Sequence, residues 1–252
     1  MPNQLAVEIA GLKLSNPTML AAGILGMTAA SLKEAFVCGA GAVVTKSVGL
    51  KPRDGYPNPT VAQVDSGLIN AMGLPNPSIN EFKAEIKTVK QEEMHIPLIV
   101  SIFGFSVSEF VKTAEVAVEA GADALELNVS CPHVKETGAE IGQNPDLLAE
   151  VVSKVKGNVE KPVFVKLTPN VSDVVGTARR AVQAGADALT AINTVRAMAI
   201  DVETTRPILA NKIGGLSGPA IKPIAIKCVY EIHREVDIPI VGCGGITSWQ
   251  DA

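Results

Sequence analysis

Aromatic residues make up only 4% of this 252-residue chain, so its core has to be assembled from Ala, Val, Ile and Leu. No apolar run approaches about 18 residues, and no basic segment leading into a long apolar stretch opens the chain, which leaves no pattern for a membrane span or an export signal. A formal net charge of -4 gives no electrostatic reason to expect nucleic acid or an anionic membrane as partner. The four cysteines, Cys38, Cys131, Cys228 and Cys243, form no C-x-x-C pair, so neither a disulfide framework nor a metal or iron-sulfur centre is indicated. A G-x-G-x-x-G fingerprint is missing as well. These absences point to a cytoplasmic protein with reduced thiols that acts on small molecules.

What is present is a repeat. Ala120-Gly121-Ala122-Asp123-Ala124-Leu125 recurs as Ala184-Gly185-Ala186-Asp187-Ala188-Leu189, and more loosely as Cys38-Gly39-Ala40-Gly41-Ala42-Val43. In each copy a helical pattern ends, a glycine supplies a left-handed cap, and small residues lead into a buried strand. Apolar runs near Thr18-Ala21, Ala42-Lys46, Leu98-Ile102, Ala124-Asn128, Val163-Leu167, Ala188-Asn193 and Ile238-Gly242 read as parallel strands covered by helices. Helical patterns lie between them, at Ser78-Glu92, Val107-Ala120, Asp146-Val155, Ser172-Ala184 and Ala220-Glu235. Such alternation predicts a single-domain (β/α)8 TIM barrel over residues 1-252. Leu5-Ile9 and Leu12-Leu14 form an N-terminal β-hairpin expected to plug one end, and the eighth β/α unit is absent from the sequence, which stops near a capping pattern at Ser248 and Asp251.

Three long connections, Ser47 to Pro77, Val129 to Asn144 and Thr194 to Pro219, follow strands, on the face where such barrels carry their sites. Lys46 and Lys166 end otherwise apolar strands, which is costly unless an anion meets them. That anion is a ligand or electron-rich cofactor; the structural alternative is an internal ion pair with a barrel carboxylate such as Glu126. Asn70, Asn128 and Asn193 offer donors and acceptors suited to a ring of alternating N-H and C=O groups, although an Asn beside Gly or Pro also serves turns. Cys131 follows Asn128-Val129-Ser130 and precedes Pro132, a loop position where a thiolate can act as nucleophile or general base. His133 is a weaker candidate to assist it. Gly214-Gly215-Leu216-Ser217-Gly218-Pro219 before a helix and Gly242-Cys243-Gly244-Gly245 after the seventh strand are candidate phosphate grips.

Together these residues resemble the class 1 dihydroorotate dehydrogenases, specifically the NAD-linked B type. The motifs that carry the resemblance are Ala21-Ala22-Gly23, Thr45-Lys46-Ser47, Asn70-Ala71-Met72-Gly73-Leu74-Pro75-Asn76, Asn128-Val129-Ser130-Cys131-Pro132, Val165-Lys166-Leu167, Ile200-Asp201 with Thr205-Arg206-Pro207, and Gly214 through Pro223. The resemblance implies an FMN-binding barrel that oxidises dihydroorotate to orotate in pyrimidine synthesis, with Cys131 as the catalytic base. It implies substrate contacts from Lys46, Asn70, Ala71, Met72, Gly73, Leu74, Asn128, Asn193 and Thr194. For FMN it implies Ala22, Lys46, Ser47, Asn128, Lys166, Ile192, Gly218, Gly244 and Gly245. Relatives often carry Ser where Ala22 stands and Asn where Ser101 stands, which reroutes contacts to flavin there. The B type also implies a homo-oligomer joined to an electron-transfer subunit with FAD and an iron-sulfur cluster, since this chain has no cysteines for such a cluster. Two other readings fit parts of the pattern: a dihydropyrimidine dehydrogenase-like FMN barrel for uracil or thymine, and a non-catalytic ligand-binding barrel.

Overall fold

The computed structural model describes residues 4-23, 25-91, 93-130 and 141-252. Its centre is a seven-stranded sheet: β1 (Met19–Leu20), β2 (Ala42–Val44), β3 (Leu98–Ile102), β4 (Ala124–Asn128), β5 (Val163–Leu167), β6 (Ala188–Ala191) and β7 (Ile240–Gly242). Every neighbouring pair is parallel and the spatial order follows the chain from β1 to β7. Helices α1 (Ala29–Val37), α2 (Ile79–Lys90), α3 (Val107–Ala120), α4 (Pro145–Lys156), α5 (Val174–Gln183) and α6 (Lys222–His233) connect successive strands. This is the (β/α) barrel architecture expected from the alternation of elements.

Strand residues divide by parity. Leu125 and Leu127 of β4, and Val163, Val165 and Leu167 of β5, join the large cluster that includes Phe82 and Ile86 of α2, Phe110 of α3 and Val151 of α4. Ala124 and Phe164 point the other way and pack with Ala42, Ile99 and Ala188 against Ile9 and Leu14. The hairpin Val7–Ile9 with Leu12–Leu14 therefore closes the amino-terminal end of the interior, as expected. Four of the six phenylalanines, Phe82, Phe103, Phe110 and Phe164, are fully buried.

The repeated motif has a physical cause. Asp123 accepts from the backbone N-H of Leu98 at 2.8 Å and from Lys90 at 2.7 Å. One unit later Asp187 does the same with Val163 and Lys156, both at 2.7 Å. Each aspartate thus ties the start of the previous strand to the end of the helix that leads into that strand. Gly121 and Gly185, at φ 113° and 100°, make the turn that brings it there. In the first copy Gly41 replaces the aspartate because a Cβ would lie 2.1 Å from the Asn16 carbonyl, and Asn16 itself binds the Gly39 carbonyl at 2.9 Å.

The first and third long connections meet in one four-stranded antiparallel sheet, ordered Val195–Ala197, Gly214–Ser217, Gly67–Asn70, Val61–Val64. Ile69, Ala71 and Leu209 form its buried underside, with Tyr56, Val64 and Leu216 packed around them. Gly214 and Gly215 are therefore strand residues rather than a phosphate turn. A Cβ on Gly215 would meet the Thr194 hydroxyl at 2.0 Å, and one on Gly214 the Asn70 carbonyl at 2.6 Å, so close strand packing accounts for the pair. Among the described residues, no helix is long and apolar enough to cross a membrane.

Candidate active site

Above the apolar plug, the inward row changes character. Ser101 on β3, Glu126 on β4, Lys166 on β5 and Thr190 on β6 share the inward parity of Ile99, Ala124, Phe164 and Ala188, and all four are buried. The Glu126 carboxylate accepts from the Ser101 hydroxyl at 3.3 Å and the Thr190 hydroxyl at 3.0 Å, and Lys166 Nζ stands 3.9 Å from it. Lys166 also donates to the Ala22 carbonyl at 3.4 Å. The internal ion pair foreseen as an alternative for Lys166 is thus present, though it is longer than the 2.7 Å pairs on the outside of the barrel.

At the carboxyl ends of the strands lie the amides. Asn128 donates to Ser47 Oγ at 2.9 Å, and Ser47 Oγ lies 2.9 Å from Ser101 Oγ. Asn193 donates to Asn128 Oδ1 at 3.2 Å and accepts from the Thr194 N-H at 2.8 Å. Ser47, Asn128, Asn193 and Thr194, expected on separate strands and loops, are therefore joined by hydrogen bonds across one rim. Asn70 sits apart, on the antiparallel sheet, where it donates to the Gly215 carbonyl at 3.3 Å. The loop after it is braced from outside. Tyr56 N-H bonds the Met72 carbonyl at 3.0 Å, Arg53 Nε donates to Gly73 at 3.3 Å, and the Asn76 amide holds the Leu74 carbonyl at 3.0 Å. Gly73 and Leu74 have φ of 74° and 59°.

Lys46 is half-buried, and burial pushes its pKa below the ordinary lysine value. It pairs with no carboxylate among the described residues, unlike Lys166. A partly desolvated, unpaired cation favours an anionic ligand group.

Ile192 is buried and its N-H donates to the Cys243 carbonyl at 2.8 Å, while Cys243 returns a bond to Ala191 at 2.6 Å. Beyond Cys243, Gly244 and Gly245 have φ of 124° and 75° and turn against the start of α6. A Cβ on Gly245 would sit 2.6 to 2.8 Å from Lys222 atoms, and one on Gly244 3.1 Å from Ile221. Helices α1 to α5 are capped by the side chains of Thr28, Ser78, Ser106, Asn144 and Asp173, whereas neither α6 nor the short turn Pro219–Ile221 after Gly218 has a side-chain cap. The N-H groups of Ala220, Ile221 and Lys222 are spent on the Ser66, Gly218 and Pro219 carbonyls, and Pro223 has none, so the backbone of the positive-φ pair Gly244-Gly245 is the part of this turn open to a phosphate.

Cys131 and His133 lie outside the described residues. Of the other thiols, Cys38 is exposed at the end of α1, on the surface of the barrel. Burial pushes the Cys228 and Cys243 thiols up, away from the thiolate form; at Cys243 Lys166 opposes this and Glu126 reinforces it. Neighbouring Ser130 has a buried hydroxyl without a hydrogen-bond partner among the described residues. No group of His, Cys, Asp and Glu among the described residues could hold a metal ion.

Sequence reasoning passed over Thr190 and Asn170 and gave Glu126 and Ser101 only secondary roles. Asn170 donates to the Thr194 carbonyl at 3.1 Å and accepts from Arg196 N-H at 2.9 Å, fastening the loop that carries Asn193 and Thr194. The available signal was parity: a polar residue at an inward position of an apolar strand.

Fold and site together define a (β/α)-barrel enzyme with a polar, cation-bearing centre at the carboxyl ends of its strands. The dihydroorotate dehydrogenase family model matches residues 4–252, and the chain belongs to that family. It is 53% identical over 242 residues to the dihydroorotate dehydrogenase B (NAD(+)) catalytic subunit of Methanocella arvoryzae, covering 96% of this chain and 79% of that protein. The subunits of the same name from Methanosarcina mazei and Pyrococcus abyssi are also 53% identical, over 98% of this chain and 79% and 82% of theirs.

Proposed function

We propose that this chain is the catalytic subunit of an NAD-linked dihydroorotate dehydrogenase and oxidises dihydroorotate to orotate in pyrimidine biosynthesis, using FMN. The observation that carries the reading is the single rim where Ser47, Asn128, Asn193 and Thr194 are hydrogen-bonded together beside Lys46, a half-buried cation with no carboxylate partner among the described residues.

In this reading Lys46 holds the substrate carboxylate. The carboxamides of Asn70, Asn128 and Asn193 meet the alternating N-H and C=O groups of the ring, with Thr194 and the backbone of Ala71 to Leu74 closing over it. Cys131 takes the proton from the ring carbon next to the amide carbonyl. FMN supplies the two-electron acceptor for the hydride that leaves the adjacent carbon. The backbone of Gly218, Gly244 and Gly245, beside the start of α6, would hold its phosphate. Lys166, Ala22, Ser47 and Ile192 would hold its ring. Residues 1-252 act as one domain, in a homo-oligomer. Electrons leave through a partner subunit with FAD and an iron-sulfur cluster, since the present chain has no cluster cysteines.

The test is a titration of the FMN-loaded protein with orotate and, separately, uracil. Perturbation of the flavin spectrum by orotate but not by uracil is the expected result. Preference for uracil contradicts the role of Lys46 and favours a dihydropyrimidine dehydrogenase-like barrel; no spectral response to either favours a non-catalytic one.

A further inference from the structure

We propose that Glu126 is a positioning residue for Lys166 that offsets part of the lysine's charge and thereby lowers the reduction potential of the bound flavin; this rests on the FMN reading above. Glu126 and Lys166 are the only charged side chains among the described residues that are buried, at 2% and 4% exposure. Burying two ions costs several kcal/mol each, and apolar residues of similar volume fill such space at no loss of stability, so core packing alone does not explain the pair.

Its geometry is asymmetric. The carboxylate is pinned by two hydroxyls, Ser101 at 3.3 Å and Thr190 at 3.0 Å. Lys166 lies 3.9 Å away and spends one other proton on Ala22 at 3.4 Å, which leaves it donor capacity for a ligand. A fixed negative charge thus stands behind a cation that faces the site. Thr190, which holds the carboxylate, pairs with Val241 on β7, the strand that runs into the glycine turn.

Two electrons and one proton convert the oxidised flavin ring into a reduced ring bearing one additional negative charge. Lys166 stabilises that charge and Glu126 opposes it. A lower potential makes the reduced flavin a readier donor to the next electron carrier.

The experiment measures the midpoint potential of protein-bound FMN, by equilibration with a reference dye, in the parent and in Glu126→Gln, Glu126→Asp, Lys166→Gln and the Glu126→Gln/Lys166→Gln double variant. Glu126→Gln is expected to raise the reduced-to-oxidised ratio at fixed potential by about tenfold, equivalent to about 30 mV for a two-electron couple. Glu126→Asp, which keeps the charge, should stay near the parent. If Glu126→Gln does not fold because Lys166 is left unpaired, the double variant must still lie above Lys166→Gln. FMN-loaded Glu126→Gln with the parental potential, or a double variant no higher than Lys166→Gln, overturns the inference. A parent that takes up no FMN overturns the cofactor reading itself, a different result.

Discussion

Replacing Lys46 by Met separates a binding cation from a structural one, because the two roles predict opposite changes in stability. The ammonium is half-buried, its pKa is pushed down by burial, and no carboxylate among the described residues compensates it. Met keeps the unbranched stem and removes a charge that folding has to desolvate, so thermal unfolding of the ligand-free protein should occur at the same temperature or higher. Binding should move the other way. A charge-assisted hydrogen bond to a carboxylate contributes about 1.5 to 3 kcal/mol, and about 1.4 kcal/mol is a factor of ten, so orotate affinity should fall about 10- to 150-fold. pH supplies an independent check. The charged form of Lys46 binds the anion, and its pKa in the free protein lies below 10.5. Orotate affinity should therefore be full below that lowered pKa and decline as pH rises through it, and Lys46→Met should abolish the decline. Orotate titrated against the flavin spectrum, with a thermal melt of each protein, reads all three quantities. Unchanged orotate affinity together with a lower melting temperature would refute the reasoning and make Lys46 a structural residue.

Other substitutions address the remaining parts of the site and scaffold. Cys131→Ala should leave FMN bound and slow flavin reduction by dihydroorotate by about 10²- to 10⁴-fold in stopped-flow measurements; the parental rate would remove Cys131 from the chemistry. Gly245→Ala places a Cβ 2.6 Å from Lys222 at a φ of 75°, so FMN should dissociate more readily on gel filtration, and full retention would count against a phosphate held by this turn. Asp123→Ala severs charge-assisted bonds to Leu98 N-H and Lys90 and should cost about 1.5 to 3 kcal/mol in denaturant unfolding while leaving orotate affinity unchanged; a loss of orotate affinity would show that the clamp reaches the site.

Most of the barrel was legible because parallel strands covered on both faces are written as unbroken apolar runs, and all seven were placed near their observed positions. The Gly-Ala-Asp repeat was legible as punctuation, but its clamp was not, since the partners Lys90 and Lys156 lie about thirty residues upstream. The antiparallel sheet over the site escaped notice for a physical reason. Val61–Val64 and Gly67–Asn70 are four residues each, and Gly214–Ser217 opens with two glycines that look like a turn. Those strands become recognisable only through pairing between segments some 145 residues apart, such as Asn70 with Gly215. At the site, the amides and lysines stood out from their neighbours, whereas Ser101 and Thr190 looked like ordinary strand residues until Glu126 was seen between their hydroxyls.

The central claim is that this chain binds flavin and reduces it with dihydroorotate, and anaerobic addition of dihydroorotate to the FMN-loaded protein tests it most directly. The predicted result is loss of the oxidised flavin absorbance with one orotate formed per flavin reduced, and the same loss slowed in Cys131→Ala. A bound flavin that dithionite bleaches but dihydroorotate leaves oxidised would contradict it.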